Sequence, residues 1–391
     1  MAAESARKFE ALEAQATALL DVFKRAGYEQ VAPSIIQPAD VFLDQIGESI
    51  RSRTYVFTDL AGDELCLRPD LTVPVSRLYL ERHPEAKTPA RYCYNGPAFR
   101  FQPDRNNQAH PREFRQAGIE SFGEKDKESA DVQTVLLAVE AVRGAGLENF
   151  RLRFGDIALF YAFIDALALP ERWRLKLRHY FWRPQAFHAL LSRLAKGERP
   201  DADGPLAELV RTLDRDDQEK SEELVALYLD EKGLPLSGNR TLSEITARLL
   251  DLLGDLRAEP LRKEVATVID YFLAASAPPK EAVDRVAMIA KGAGIDVAPA
   301  LQTLIRRLER LEQGGIDLGK STFATEFGRS FEYYSGLVFQ IEVEGERETS
   351  QIAGGGRYDG LLEHIGAPRE VPAIGAAIHT ERLLAAVERG A

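Results

Sequence analysis

Strand signals occupy the two ends of this chain and are missing from its middle. From about Asp156 to Gln313 the pattern is one of long helices such as LAELVRTLDR, LSEITARLLDLLGDL and VAPALQTLIRRLERLEQ, with Pro and Gly between them. Before it, TYVFTD and ELCLRPD read as two short strands joined at LAGDE into a hairpin. RYCYNGPAFRFQ and REFRQAGIESFG read as a second pair bridged by a polar loop from Pro103 to Pro111, and FRLRFG as a further strand. After the middle, FEYYSGLVFQIEV is strand-like, AGGGRYDG marks a tight turn and VPAIGAAI feeds the last helix. Strands grouped at the ends, rather than alternating with helices, predict an antiparallel sheet. The expected class is α+β: residues 1–155 and 316–391 form a sheet domain flanked by helices, and residues 156–315 a mostly helical insertion.

Two helices of the first part are legible individually. Phe9, Leu12, Leu19, Leu20 and Phe23 recur at helical spacing before Gly27, which predicts a helix over residues 7–26 that packs on the core. Ser129 is the expected N-cap of a helix through ADVQTVLLAVEAVRGAG. With 45% hydrophobic and 28% charged residues the chain has enough apolar material for a sizeable core. No run approaches the roughly 18 apolar residues that span a bilayer, and the start is polar and acidic, so no membrane partner and a cytoplasmic location are expected. Cys66 and Cys93 are too few for a disulfide framework or a cysteine metal site; buried reduced thiols and no metal are expected. Fifty Lys and Arg against 61 Asp and Glu leave a net charge of −11, which opposes nucleic acid.

Residues 314–321, GGIDLGKS, satisfy the phosphate-loop pattern. That pattern binds phosphate only between a strand and a helix whose N-terminus points amides at the anion. Here a helical run precedes it and the aromatic, β-prone STFATEFGRSFEYYSG follows, so the expected structure is a helix-ending glycine turn with Lys320 in solvent.

Four separated segments place polar and basic residues on strands beside glycines: LRPDLTVPVSR; FRFQP with REFRQAGIE; GRSFEYYSG with AGGGRYDG; and IGAAIHTERLL. Together with VAPSIIQPADVFLDQIGES, which resembles the first class II motif with its dimer-interface Pro33, they resemble the catalytic domain of class II aminoacyl-tRNA synthetases. GRSFEYYSG and AGGGRYDG narrow the resemblance to histidyl-tRNA synthetase, over residues 1–155 and 316–384. The resemblance implies a histidine pocket lined by Asp70, Thr72, Gln116, Glu120, Tyr334 and Tyr358, with Arg329 beside the reacting carboxylate. It further implies that Arg100 holds the substrate carboxylate and α-phosphate, and Arg382 the γ-phosphate.

The departures from the family point away from synthetase chemistry. Gln102 stands where the second motif carries Glu, and Asp70-Leu71-Thr72 replaces Glu-Gly-Thr. His379-Thr380-Glu381-Arg382 replaces Gly-Leu-Glu-Arg, putting an imidazole where a glycine leaves room for adenine, and only nine residues follow Arg382, so no anticodon-binding domain and no tRNA are expected. Gln102, His379 and Arg382 are therefore expected to mark a vestigial nucleotide site. This combination is similar to the regulatory subunits of ATP phosphoribosyltransferase, paralogues of the synthetase that also carry Asp-Leu-Thr. That resemblance implies a chain that is not itself catalytic, needs no cofactor and self-associates as a dimer. It also implies that the chain activates a short catalytic subunit in histidine biosynthesis, with histidine as feedback effector. A truncated synthetase forming histidyl-adenylate, and a histidine-sensing module of another pathway, stay open at this point.

Overall fold

The computed structural model describes residues 5–43, 51–102, 111–197, 205–234, 241–328, 332–344 and 350–390. The first part runs α1 (Ala6–Arg25), β1 (Glu29–Gln30), β2 (Ile36–Pro38), α2 (Asp40–Leu43), β3 (Tyr55–Thr58), β4 (Glu64–Leu67), α3 (Thr72–Arg82), β5 (Ala90–Phe99), β6 (Glu113–Phe122), α4 (Lys127–Gly144), β7 (Arg151–Asp156) and α5 (Ile157–Ala166). There follow α6 (Glu171–Tyr180), α7 (Pro184–Lys196), α8 (Pro205–Thr212), α9 (Gln218–Glu231), α10 (Leu242–Arg257) and α11 (Lys263–Leu273). The chain closes with β8 (Ser276–Ala277), α12 (Pro279–Ala293), α13 (Ala298–Gln313), a 3-10 turn (Leu318–Lys320), β9 (Thr322–Ala324), β10 (Leu337–Val343), β11 (Ser350–Arg357), α14 (Leu361–His364), β12 (Ala373–His379) and α15 (Thr380–Glu388).

Among the described residues, nine strands form one sheet in the order β1-β5-β6-β12-β11-β10-β7-β9-β8. Its central run from β5 to β7 is antiparallel throughout, with parallel pairs only at β1/β5 and β7/β9. The hairpin expected over TYVFTD and ELCLRPD is β3/β4, and β2 joins β4 to make a separate three-stranded sheet. The long pair β5/β6 carries the expected second hairpin, whose bridging residues 103–110 lie outside the described set. Helix α1 starts on Ser5, whose hydroxyl accepts from Lys8 N, and buries Leu12, Leu19 and Phe23. It packs beside α4 and α15 on one face of the sheet.

Three local expectations are corrected. Asp126, not Ser129, caps α4: its carboxylate accepts from Ser129 N at 3.0 Å, which puts Ser129 inside the first turn. The Asp126→Ala variant is expected to lose about 1 kcal/mol of stability in urea unfolding, the usual cost of an emptied cap. The first three glycines of AGGGRYDG make no turn; Gly354, Gly355 and Gly356 lie in β11, and the turn comes only at Asp359-Gly360. They serve close approach, since a Cβ on Gly355 would lie 2.0 Å from Gly375 O and one on Gly356 2.7 Å from Leu337 O. The strand within FEYYSGLVFQIEV begins only at Leu337: just before it Ser335 N donates to Arg357 O, out of register with the β10/β11 pairing that aligns Val338 with Gly356.

The phosphate-loop lookalike behaves as expected. Gly314 and Gly315 end α13, with Gly315 at φ +89° and its N–H on Glu312 O. A strand, β9, follows rather than a helix, and the exposed Lys320 ammonium lies 3.8 Å from Asp317.

The chain divides into two compact units, residues 1–163 with 272–391, and 164–271. The second is helical and has its own core, where Val210, Leu213, Val225, Leu253 and Leu256 meet between α8, α9 and α10. Within it Trp173 is buried and donates from Nε1 to Glu259 O at 2.8 Å. The first unit contains both sheets and also α12 and α13, the latter packed against α4. At the point where the first unit is interrupted, Phe163 and Phe272 stack with ring centroids 4.0 Å apart.

Candidate functional site

Alternation along β6 sends Ala117 and Ile119 to the helix-covered face and Phe114, Gln116, Gly118, Glu120 and Phe122 to the other. Glu120 is the centre of that second face. It is 1% exposed and accepts three hydroxyls: Thr72 Oγ1 at 2.8 Å, Tyr94 Oη at 3.0 Å, and Tyr358 Oη. The space for this comes from glycines on the neighbouring positions. A Cβ on Gly375, directly opposite on β12, would lie 1.6 Å from Glu120 Oε2, and one on Gly118 would lie 2.5 Å from Tyr94 Oη. Burial pushes the Glu120 carboxyl up to about 8, against the pull of the three hydroxyls.

Asp70 precedes α3 and is 3% exposed. Its Oδ1 accepts from Val73 N at 3.2 Å, while Oδ2 is buried without a hydrogen-bond partner. Burial raises this carboxyl too, opposed by the Arg100 and Arg68 guanidiniums and the Val73 amide. Arg100 donates from Nε to Pro69 O at 2.8 Å and lies over the Phe114 ring, 5.0 Å from its centroid. Gln116 presents a second buried acceptor without a partner, Oε1. Opposite it on β12 is His379, 9% exposed, whose ring centroid is 5.4 Å from that of Phe114.

The structure thus gathers Asp70, Thr72, Arg100, Gln116, Glu120, Tyr358 and His379 around one face of the sheet. Tyr334 is buried and joins them through Tyr333, whose ring lies 4.8 Å from Tyr334 and 5.7 Å from Tyr358. Gln102 follows the end of β5, and its backbone oxygen accepts from Arg112 Nε and Nη2. Arg382, in the first turn of α15, donates to Gln351 O at 3.1 Å, and burial lowers its pKa. Arg329 lies outside the described residues.

Two features went unread in the sequence. Tyr94 is one: on a strand it looks like any core aromatic, and only its position opposite Gly118 gives it Glu120 as a partner. The other is a buried ionic lattice behind the site. Arg357 faces Asp131 through Nε at 2.8 Å and Nη2 at 2.6 Å, and donates from Nη1 to Asp359 at 2.7 Å. Arg307 joins Asp131 at 2.7 Å to Asp156 at 3.0 Å. Lys127 reaches Asp359 Oδ2 at 2.7 Å. A carboxylate near the start of the apolar run ADVQTVLLAV is the signal that could have shown it.

Both cysteines are buried free thiols, with burial pushing Cys66 up to about 12 and Cys93 to about 11. Among the described residues no group of three or more His, Cys, Asp or Glu is arranged to hold a metal, and no helix is long and apolar enough to cross a membrane.

A family model described as histidyl-tRNA synthetase matches residues 4–234 and 241–383. A Sinorhizobium medicae protein described as ATP phosphoribosyltransferase regulatory subunit is 35% identical over 374 residues, 95% of this chain and 96% of its own length. One of the same description from Brucella anthropi is 34% identical over 357 residues, 91% and 92% of the two chains. Among solved structures, an ATP phosphoribosyltransferase regulatory subunit/histidyl-tRNA synthetase from Bacillus halodurans superposes with a TM-score of 0.64 at 20% identity, covering 99% of this chain and 82% of that one. A histidine–tRNA ligase subunit from Alicyclobacillus acidocaldarius gives 0.60 at 24% identity, covering 100% and 96%. These two likenesses carry the fold: the antiparallel sheet with flanking helices is that of the class II synthetases.

Proposed function

Since the chain belongs to the family of ATP phosphoribosyltransferase regulatory subunits, built on the histidyl-tRNA synthetase fold, we propose that the face around Glu120 is its histidine sensor. The chain is a non-catalytic subunit with a regulatory role in histidine biosynthesis, and its partner is the catalytic subunit of the enzyme. The observation that supports the sensor is the set of unmet acceptors: Asp70 Oδ2 and Gln116 Oε1, buried without partners beside a Glu120 held away from water. Buried acceptors left unpaired cost about 1–3 kcal/mol each, and an ammonium and an imidazole N–H supply the missing donors. Arg100, near Asp70, supplies the opposite charge for the amino-acid carboxylate.

Self-association as a dimer is part of the same reading. Ile35, Ile36, Val56, Phe57 and Phe101 are exposed around the small sheet β2-β4-β3, and Leu60 projects from its hairpin. A second copy of this chain is the occupant that would remove this patch from water. The net charge of −11 works against tRNA as a further ligand.

The test measures activity of the catalytic subunit with and without this chain, across a histidine titration. Activity that depends on the chain and falls with histidine is expected, and Glu120→Gln is expected to weaken the histidine response by about tenfold or more, because a neutral amide cannot balance the ligand's positive charge. A variant with the wild-type response would remove Glu120 from the site. Binding of a cation favours ionised Glu120, so histidine should displace a proton at neutral pH and bind more tightly as pH rises toward about 8. Calorimetry in buffers of different ionisation enthalpy reads that proton. The same group has a stability signature: the folded chain keeps a proton that the unfolded chain releases, so its contribution falls as pH rises from about 4.5 to about 8.

A further inference from the structure

Tyr358 reaches Glu120 from just beyond a strand, β11, that does not pair with β6. In the sheet β12 lies between β6 and β11, and the row Glu120, Gly375, Gly356 shows the crossing: two glycines leave the corridor open. Tyr358 itself stands just past the end of β11, beyond the hydrogen-bond ladder that aligns Gly356 and Arg357 with β12. What holds it there is the residue after it. Asp359 Oδ1 accepts from Ala373 N at 2.9 Å and Arg357 Nη1 at 2.7 Å, and Oδ2 accepts from Lys127 Nζ at 2.7 Å. Tyr358 N donates to Ala373 O at 2.8 Å, so both polar atoms of the Ala373 backbone are bound by residues 358 and 359. On the other flank Asp359 N donates to Ser335 Oγ, and Ser335 N to Arg357 O.

We propose that Asp359 is a positioning residue of the histidine site: by clamping the end of β11 to the start of β12 it fixes the Tyr358 hydroxyl on Glu120 and so sets the affinity for histidine. It touches no ligand itself. This rests on the reading of the Glu120 face as the sensor. The carboxylate is suited to the role because it satisfies three donors from three directions, two of them cationic, which an amide with one oxygen cannot do. The clamp also ends in solvent, since Lys127 is 43% exposed and lies 3.5 Å from Glu370, so one of its three arms is open to substitution without disturbing the core.

The experiment is a double-mutant cycle on histidine binding by the full chain, read by calorimetry. Asp359→Asn is expected to weaken histidine about tenfold, and to have no further effect when Tyr358 is already phenylalanine, because both changes remove the same contact. Lys127→Met is expected to weaken binding about threefold with an unchanged melting temperature, and to be equally silent in the Tyr358→Phe background. Should Asp359→Asn fail to fold, the Lys127 cycle decides alone. Effects that add to Tyr358→Phe, or wild-type affinity in these variants, would overturn the positioning role while leaving the sensor intact. No histidine binding by the wild-type chain would remove the sensor, and this role with it.

Discussion

The Asp131→Ala variant is expected to unfold with about 3–5 kcal/mol less free energy than the wild-type chain, the usual consequence of removing one partner from a buried ion pair. The Asp131 side chain is fully buried between two guanidiniums that are themselves 4% and 7% exposed. Without it Arg357 retains Asp359 and Arg307 retains Asp156, and each is left with one carboxylate and little water. The loss should surface in urea as a lower midpoint at unchanged slope. Arg151–Glu344 provides the contrast: both side chains are about 70% exposed, and breaking that pair should cost well under about 1 kcal/mol. A loss at Asp131 no greater than at Glu344 would mean that the lattice does not hold α4 and α13 to the sheet.

Placing a valine at Gly375 is expected to have the second largest effect, and to act on function as well as stability. Its Cβ would fall 1.6 Å from Glu120 Oε2 and 2.8 Å from Ile119 O, so the carboxyl group must leave its seat. Overpacking costs about 1–3 kcal/mol, and stranding the hydroxyls of Thr72, Tyr94 and Tyr358 adds the loss of bonds to a carboxyl group. The histidine titration of the reconstituted enzyme should become flat. Adding Glu120→Ala to Gly375→Val should recover part of the melting temperature, since the collision is relieved, and none of the histidine response. A Gly375→Val chain that still answers to histidine like the wild type would dissociate the sensor from Glu120.

The periodic elements were legible because each is decided within its own segment. The apolar spacing of α1 and the strand-like runs of β3, β4, β5 and β6 need no distant partner. The run AGGGR was misread as a turn because glycine serves two purposes, and the one that applies here is set by the Gly375 carbonyl, a contact outside the local window. At α4 two residues of capping type stand three apart, and only the geometry shows Asp126 accepting from Ser129. The candidate site residues came from likeness to a known family; the structure brings Asp70, Thr72, Arg100, Gln116, Glu120, Tyr358 and His379 to one face of the sheet, sets Arg382 on α15 against Gln351 O, and Arg329 lies outside the described residues. The lattice was out of reach because its partners are 226 residues apart at Asp131–Arg357 and 151 at Asp156–Arg307, and nothing local distinguishes Arg307 from its neighbours in IRRLERL.

The stacked rings of Phe163 and Phe272 have a consequence for how such a chain can change over time. The polypeptide leaves the sheet-bearing unit and returns to it at points a few ångströms apart, after roughly a hundred residues that carry their own core. To the sheet those residues are topologically a loop, and the entropy of closing a loop grows only with the logarithm of its length. Any self-folding module whose two ends lie side by side could be exchanged at this junction at little cost in loop entropy.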